Sequence, residues 1–242
     1  GSPNNGNYNS EAAIHAYYKL LNCGFRLGLA AGTDFPCNES EPLGTLLTYV
    51  KMKNKGLTYD KWINGIKEGR TVVSRNGHKE FIEFKAEGNH EPGDEIKIKN
   101  KKLVSLSVKW TGVKGFTGTI ELVCNGKVIA SQPASVTPGK PFIFKTTHEI
   151  TESSWICARR MDEKGHESHT APIYFVVNNK PIRASAEDAQ YFISWIDRLM
   201  EKTSPGGSWN RYFTHDLDIV QARYLKAKLI YSPILKEAEG RK

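Results

Sequence analysis

Between residues 80 and 178 the chain is a succession of short runs in which apolar and polar residues alternate: EFIEFKAEG, EIKIKN, LVSLSVKW, TIELVCNGKVIAS, FIFKTTHEI, WICARR and PIYFVV. A period of two puts alternate side chains on opposite faces of a pleated strand, so each run reads as a half-buried β-strand. Asn125-Gly126, between ELVC and KVIA, predicts a type I′ hairpin, because that turn needs positive φ at both central residues. About seven strands in about 100 residues, punctuated by Gly and Pro, predict an immunoglobulin-like β-sandwich. Trp110 and Trp155 are its expected core anchors.

The flanks differ. Residues 11–75 read as α/β. EAAIHAYYKLLN carries Ala13, Tyr17, Leu20 and Leu21 at helical spacing and ends at Cys23-Gly24. RLGLAAGTD then reads as a short buried parallel strand opening into a loop, and TLLTYVKM as a second strand. Thr58 caps YDKWINGIKEG, whose Tyr59, Trp62, Ile63 and Ile66 share one face, and RTVVS follows as a strand. Helix alternating with strand predicts parallel β/α units. Residues 184–242 return to helix: Ser185 caps AEDAQYFISWIDRLMEK, with Ala189, Phe192, Ile193, Ile196, Leu199 and Met200 on one stripe beside Trp195. After SPGGS, HDLDIVQARYLKAKLIYSPIL reads as a second helical stretch with Pro233 near its end. The expected fold class is α+β, divided at 1–79, 80–183 and 184–242.

The net charge of +8 is spread over KMKNK, KIKNKK and the tail rather than gathered on a nucleic-acid module, so no nucleic-acid partner is expected. No apolar run reaches the roughly 20 residues that cross a bilayer. Cys23, Cys37, Cys124 and Cys157 form no CxxC; Cys124 and Cys157 lie in strands, facing each other or as separate buried thiols. His166 and His169, in GHESH between two strand runs, read as an exposed hairpin loop. Asp34 closes the RLGLAAGTD run, where β/α folds place chemistry; a carboxylate bonding its own loop ahead of Pro36 is the structural alternative.

The order YYKLLNCGFRLGLAAGTDFPCN, GTLLTYV and LTYDKWINGIKEGRTVVSRNG, followed by a strand-rich region with a PGDE turn at 92–95, resembles the closing segment of the CehA/McbA-like branch of the PHP (polymerase and histidinol phosphatase) superfamily. The resemblance covers about residues 11–180. It implies the last β/α units of a PHP-like distorted barrel ahead of the sandwich, and a parent protein that hydrolyses an ester, amide or phosphoester with a divalent metal (Zn, Fe or Mn). In that branch an Asp after Ala-Gly-Thr ligates metal, which falls on Asp34, with Thr33, Cys37 and Asn38 lining the site. Two positions depart from the pattern: Pro36 stands where PHP proteins often carry His, and Leu47 where Arg is common.

None of the seven histidines (His15, His78, His90, His148, His166, His169, His215) forms the His-x-His with which PHP proteins begin. A hydrolytic metal needs three or more protein ligands and an open position, so this chain is expected to be inactive alone and to hold no stoichiometric metal. The substrate is left unspecified. Self-association through exposed barrel faces is expected; the compartment is left open, with a periplasmic or secreted location favoured. The reading from a different class is a non-catalytic β-sandwich module that binds glycan or protein, or serves a structural role; Trp and Tyr exposed on one sandwich face would favour glycan.

Overall fold

The computed structural model describes residues 6–37, 42–53, 56–213 and 215–241, with side chains from residue 13 onward. It is an α+β protein. In chain order the elements are α1 (Gly6–Asn22), β1 (Leu47–Val50), α2 (Tyr59–Lys67), β2 (Thr71–Ser74), β3 (Glu80–Ala86), β4 (Glu95–Ile98), β5 (Lys102–Gly112), β6 (Phe116–Cys124), β7 (Lys127–Val136), β8 (Phe142–Ile150), β9 (Ser154–Asp162), β10 (Gly165–Thr170), β11 (Ile173–Val177), α3 (Ala186–Thr203) and α4 (Leu217–Glu239).

The strands form two sheets. The smaller is β3-β5-β8, antiparallel throughout; the larger has eight strands with β9 at its junction. One edge of β9 carries β6, which carries β7; the other is shared end to end by β11 and β10. β10 leads on to β2 and β1, and β11 to β4, in a parallel pair that departs from an all-antiparallel sandwich. Strand pairing therefore runs unbroken from β1 near the start of the chain to β4 and β11. The β6–β7 turn has positive φ at both Asn125 (50°) and Gly126 (83°), as the Asn-Gly pair requires.

The main core fills the space between the sheets, with Trp110, Phe84, Ile82, Leu106, Ile120, Leu122, Ile156 and Phe175 sealed from water. Each large side chain contributes roughly 1.5–3 kcal/mol by leaving water. Among them Arg160 is clamped by Glu80, and Glu80 also accepts from the Trp110 indole (2.8 Å). On its other face the larger sheet carries α1: Tyr18 and Leu21 pack on Val123, Trp155, Cys157 and Tyr174. The Trp155 indole donates to Asn22 (2.8 Å), tying helix to sheet.

Ser185 accepts from the Asp188 amide (3.0 Å) and so starts α3 as its position predicts. Asp188 then receives Lys19 and Asn22 of α1. Ala189, Ile193 and Ile196 are buried, and Ala189 and Phe192 join Cys23, Phe25, Tyr231 and Ile234 in a third cluster. The tail is thus packed back on α1. Pro233 lies inside α4, which continues past it to Glu239.

Three expectations of local structure fail. β1 and β2 pair antiparallel, Leu47 opposite Ser74 and Val50 opposite Thr71. Gly69 (φ 70°) turns the chain directly after α2 and sends it back alongside β1, so α2 is an arch rather than a parallel crossover. Residues 25–34 form no strand. The GHESH stretch is no exposed loop: it supplies β10, with Glu167, Ser168 and His169 buried. α1 covers that strand from more than 140 residues away in sequence, and this cover is what buries the two histidines' neighbourhood.

Candidate functional site

The polar residues that the fold draws together lie under α1. His169 of β10 is sealed from water; its Nδ1 lies 2.7 Å from the Thr170 carbonyl oxygen and its Nε2 2.6 Å from the Tyr18 hydroxyl. A carbonyl accepts only, so Nδ1 carries the hydrogen and Nε2 accepts from Tyr18. Arg159 donates to the same hydroxyl oxygen (3.4 Å) and is paired with Glu121 (2.7 Å). The Cys157 thiol sits 3.6 Å from Nε2.

Burial dominates the electrostatics. It pushes His169 down to about 3, helped by neighbouring His166 and Arg159, and His166 down to about 4, helped by Arg159 and His15. Burial also lifts the Cys157 thiol to about 12 and raises Tyr18 beyond the usual phenol range. A neutral imidazole, a protonated thiol and a protonated phenol hold no nucleophile or base poised near neutrality. The cluster is a polar lock between α1 and the sheet. Sequence reading missed it, because ESHT is polar throughout and its covering Tyr18 lies some 150 residues away.

Beside the lock, α1, residues 28–31, β2 and β10 enclose a cavity of about 290 Å³, its walls mostly apolar and including Ile14, Tyr17, Leu29, Val73 and His166. The stretch 25–34 borders it without a strand partner. Its backbone is held by hydroxyls: Tyr17 donates to the Leu27 carbonyl (3.1 Å), and Thr48 Oγ1 both accepts from the Ala31 amide (2.9 Å) and donates to the Ala31 carbonyl (2.8 Å). Tyr174 of β11 accepts a backbone hydrogen bond from Leu27.

This stretch carries the expected site residues. Asp34 does not end a strand: with no neighbouring strand to pair, the chain leaves Thr48 as coil, and Asp34 is exposed with φ 58°. Thr33 is buried and Cys37 exposed, while Asn38 lies outside the described residues. Among the described residues no three His, Cys, Asp or Glu side chains gather as a metal requires, so the groups present do not by themselves fit a hydrolytic centre. All four cysteines are free thiols. Val123 pairs with Cys157 and Cys124 with Ile156, which turns the two strand thiols to opposite faces.

The exposed large apolar side chains have an uneven distribution. On the sandwich strands they are Leu103, Val128 and Ile143; Trp110 and Trp155 are fully buried. The exposed aromatics are Phe35, next to Asp34, and residues of α2, α3 and the turn after α3, so no sandwich strand offers an exposed Trp or Tyr for stacking a sugar, among the described residues. On α2, Gly65 is the buried position, set against Val50 and Arg70, which turns the Tyr59, Trp62, Ile63 stripe outward. Leu57 and Tyr59 are 78% and 75% exposed.

No family model matches the chain, and no curated protein matches it. Among solved structures it is similar to the CARDB domain of a Pyrococcus furiosus protein at 16% identity, over 42% of this chain and 96% of that one, with a TM-score of 0.30. It is also similar to a Jonesia denitrificans lytic polysaccharide monooxygenase at 15% identity, over 59% and 87%, with a TM-score of 0.27. A β-glucosidase from Listeria innocua is matched at 9% identity over 40% of this chain and 16% of that one, with a TM-score of 0.24.

Proposed function

We propose that the chain is a non-catalytic β-sandwich module that binds another protein domain through α2 and the adjoining residues 27–31. The observation that carries this reading is the outward apolar stripe of α2. An amphipathic helix in a monomeric domain turns such a stripe toward a core; here Gly65 and Ile66 make the contacts, with Val50 and Gly28, while Tyr59 stands 75% exposed and Trp62 and Ile63 each keep 37% of their surface open. The backbone of residues 27–31, held by side-chain hydroxyls in place of strand neighbours, adds a surface of the same character. A glycan partner is less well supported, because the exposed aromatics lie off the sandwich strands.

Sedimentation velocity tests the reading, since an uncovered stripe also pairs with its own copy. The parent is expected to self-associate at about 100 μM, an affinity within reach of a small apolar interface. Tyr59→Asp with Ile63→Asp should be monomeric with an unchanged melting temperature. A parent that stays monomeric throughout, or a variant that associates equally, would count against the stripe as a contact surface.

The PHP resemblance supports a second reading, favoured by the placement of Asp34 on an exposed loop at the end of the unpaired stretch. In it the partner domain belongs to a PHP-type hydrolase of esters, amides or phosphoesters, and this chain lends it Asp34 with Thr33 and Cys37 nearby. Its divalent metal would be held chiefly by the other domain, where it would activate water. Isothermal titration of the isolated chain with Zn²⁺ or Mn²⁺ tests that division of ligands: tight stoichiometric binding lost in Asp34→Asn would overturn it, because this chain would then build a metal site by itself.

A further inference from the structure

A second cavity, of about 340 Å³, lies on the other face of β2, between the β1–β2 end of the larger sheet and β3. Tyr49, Val72, Phe81, Phe84 and Pro92 wall it, and Val72 and Phe84 belong to the main core, so the cleft opens onto the sandwich interior. Its volume falls in the range of small-molecule sites. β3 has β5 on one side; on the side toward the cleft its backbone is bridged at Ala86 by His90.

The charges at the mouth do not balance. Five ionisable side chains line the cleft: Lys51, Arg70, Lys85, Glu83 and Glu91. Glu83 is engaged by Lys109 from β5 (3.1 Å), and Arg70 by Glu68 of the α2 end. Lys51 and Lys85 are left to share Glu91, and Lys85 stands off at 3.6 Å, beyond a normal hydrogen bond. Two ammonium groups on one carboxylate leave one positive charge over an apolar floor.

We propose that this cleft binds a small monocarboxylate with an apolar body, an alkyl chain or one aromatic ring. The body lies against Tyr49, Phe81 and Val72; the carboxylate meets Lys85 beside Lys51 and completes the pairing that Glu91 alone leaves short. One negative charge is specified because Lys51 and Lys85 share the single carboxylate of Glu91, which repels a second. This site is independent of the α2 surface.

The test is titration of the isotope-labelled chain with octanoate by NMR, with octan-1-ol as the neutral ligand of the same chain length. Octanoate should saturate and shift the amides around Tyr49, Val72 and Phe81, and octan-1-ol should bind about tenfold weaker, as loss of a charge-assisted bond dictates. Lys85→Met, which keeps the apolar stem of an exposed side chain, should weaken octanoate about tenfold and leave octan-1-ol unchanged. Equal binding of acid and alcohol, or an unaffected Lys85→Met, overturns the carboxylate site. Shifts confined to other surfaces, or no saturable binding, overturn the cleft.

Discussion

Arg160 and Glu80 meet as a two-point pair inside the sandwich, Nε to Oε2 at 2.6 Å and Nη2 to Oε1 at 2.9 Å, with both side chains sealed from water. Glu167 approaches the same guanidinium at 3.6 Å and Asn76 bridges the two carboxylates. Breaking one member leaves a buried charge unmatched. Glu80→Gln should therefore cost about 3 kcal/mol, near the lower end for such a loss because Glu167 remains. Urea unfolding should show a lower midpoint at unchanged slope, and adding Arg160→Met should recover part of the loss.

Acid should weaken the protein through the lock under α1. His169 and His166 titrate at about 3 and about 4 when folded, below the 6.5 of a free histidine. The unfolded chain then binds more protons between those values, so this stability is complete above about pH 6.5 and is lost as pH falls toward 3. At pH 5 the sealed His169 accounts for a loss on the order of 2 kcal/mol, and the half-buried His166 for less because solvent screens it. Glu167, whose carboxyl is raised by burial, acts in the opposite sense. Melting temperature against pH should flatten in His169→Gln, which removes the titration while keeping a polar side chain beside Tyr18.

The tail should be part of the cooperative unit. Ile196 is buried and Phe192 stacks on Tyr231 at 5.0 Å. Ile196→Asp places an unpaired carboxylate against α4 and should cost about 3 kcal/mol or more, lowering the single transition seen by calorimetry. A separate low-temperature transition, with the main one unmoved, would make the helices an independent appendage.

Asp34 is exposed and left-handed, a conformation that Asn tolerates and Ala does not. Asp34→Asn should leave stability within about 0.5 kcal/mol, while Asp34→Ala should cost about 1 kcal/mol more. Thermal melts of the two variants check this and establish Asp34→Asn as the clean probe of any ligand role.

What sequence revealed, and what it concealed, follows the range of the interactions. The Asn125-Gly126 turn, the Ser185 cap and the burial of Trp110 and Trp155 rest on neighbours or on strong apolar content, and each was readable. The stretch 25–34 has the composition of a buried strand, but a strand exists only by pairing, and Thr48 and Tyr17 hold it here instead. β10 was hidden for the converse reason: its polar GHESHT is strand because β2 and β9 pair with it and α1 roofs it. The antiparallel sense of β1 and β2 hung on one backbone reversal at Gly69, which its sequence neighbours did not disclose. The lock of Tyr18, Cys157 and His169 joins residues some 140 positions apart, beyond any periodicity.

β9 is the strand through which the larger sheet is joined: β6 on one side, β11 and β10 in series on the other. β1 pairs with β2, and β2 joins β10 at three residue pairs flanked by backbone bonds from Ala171 to Thr71 and from Arg75 to Glu167. Val72 roots β2 in the main core, so the part of this end that can yield is β1 with α2, whose residues are mostly half-buried or exposed. In hydrogen exchange, the amides of Leu47–Val50 should open well before those of β6 and β9, whose protection should track global unfolding. The outward stripe of α2 thus sits on the part of the molecule that can yield without the sandwich coming apart, so a docking partner would meet a movable surface on a fixed base.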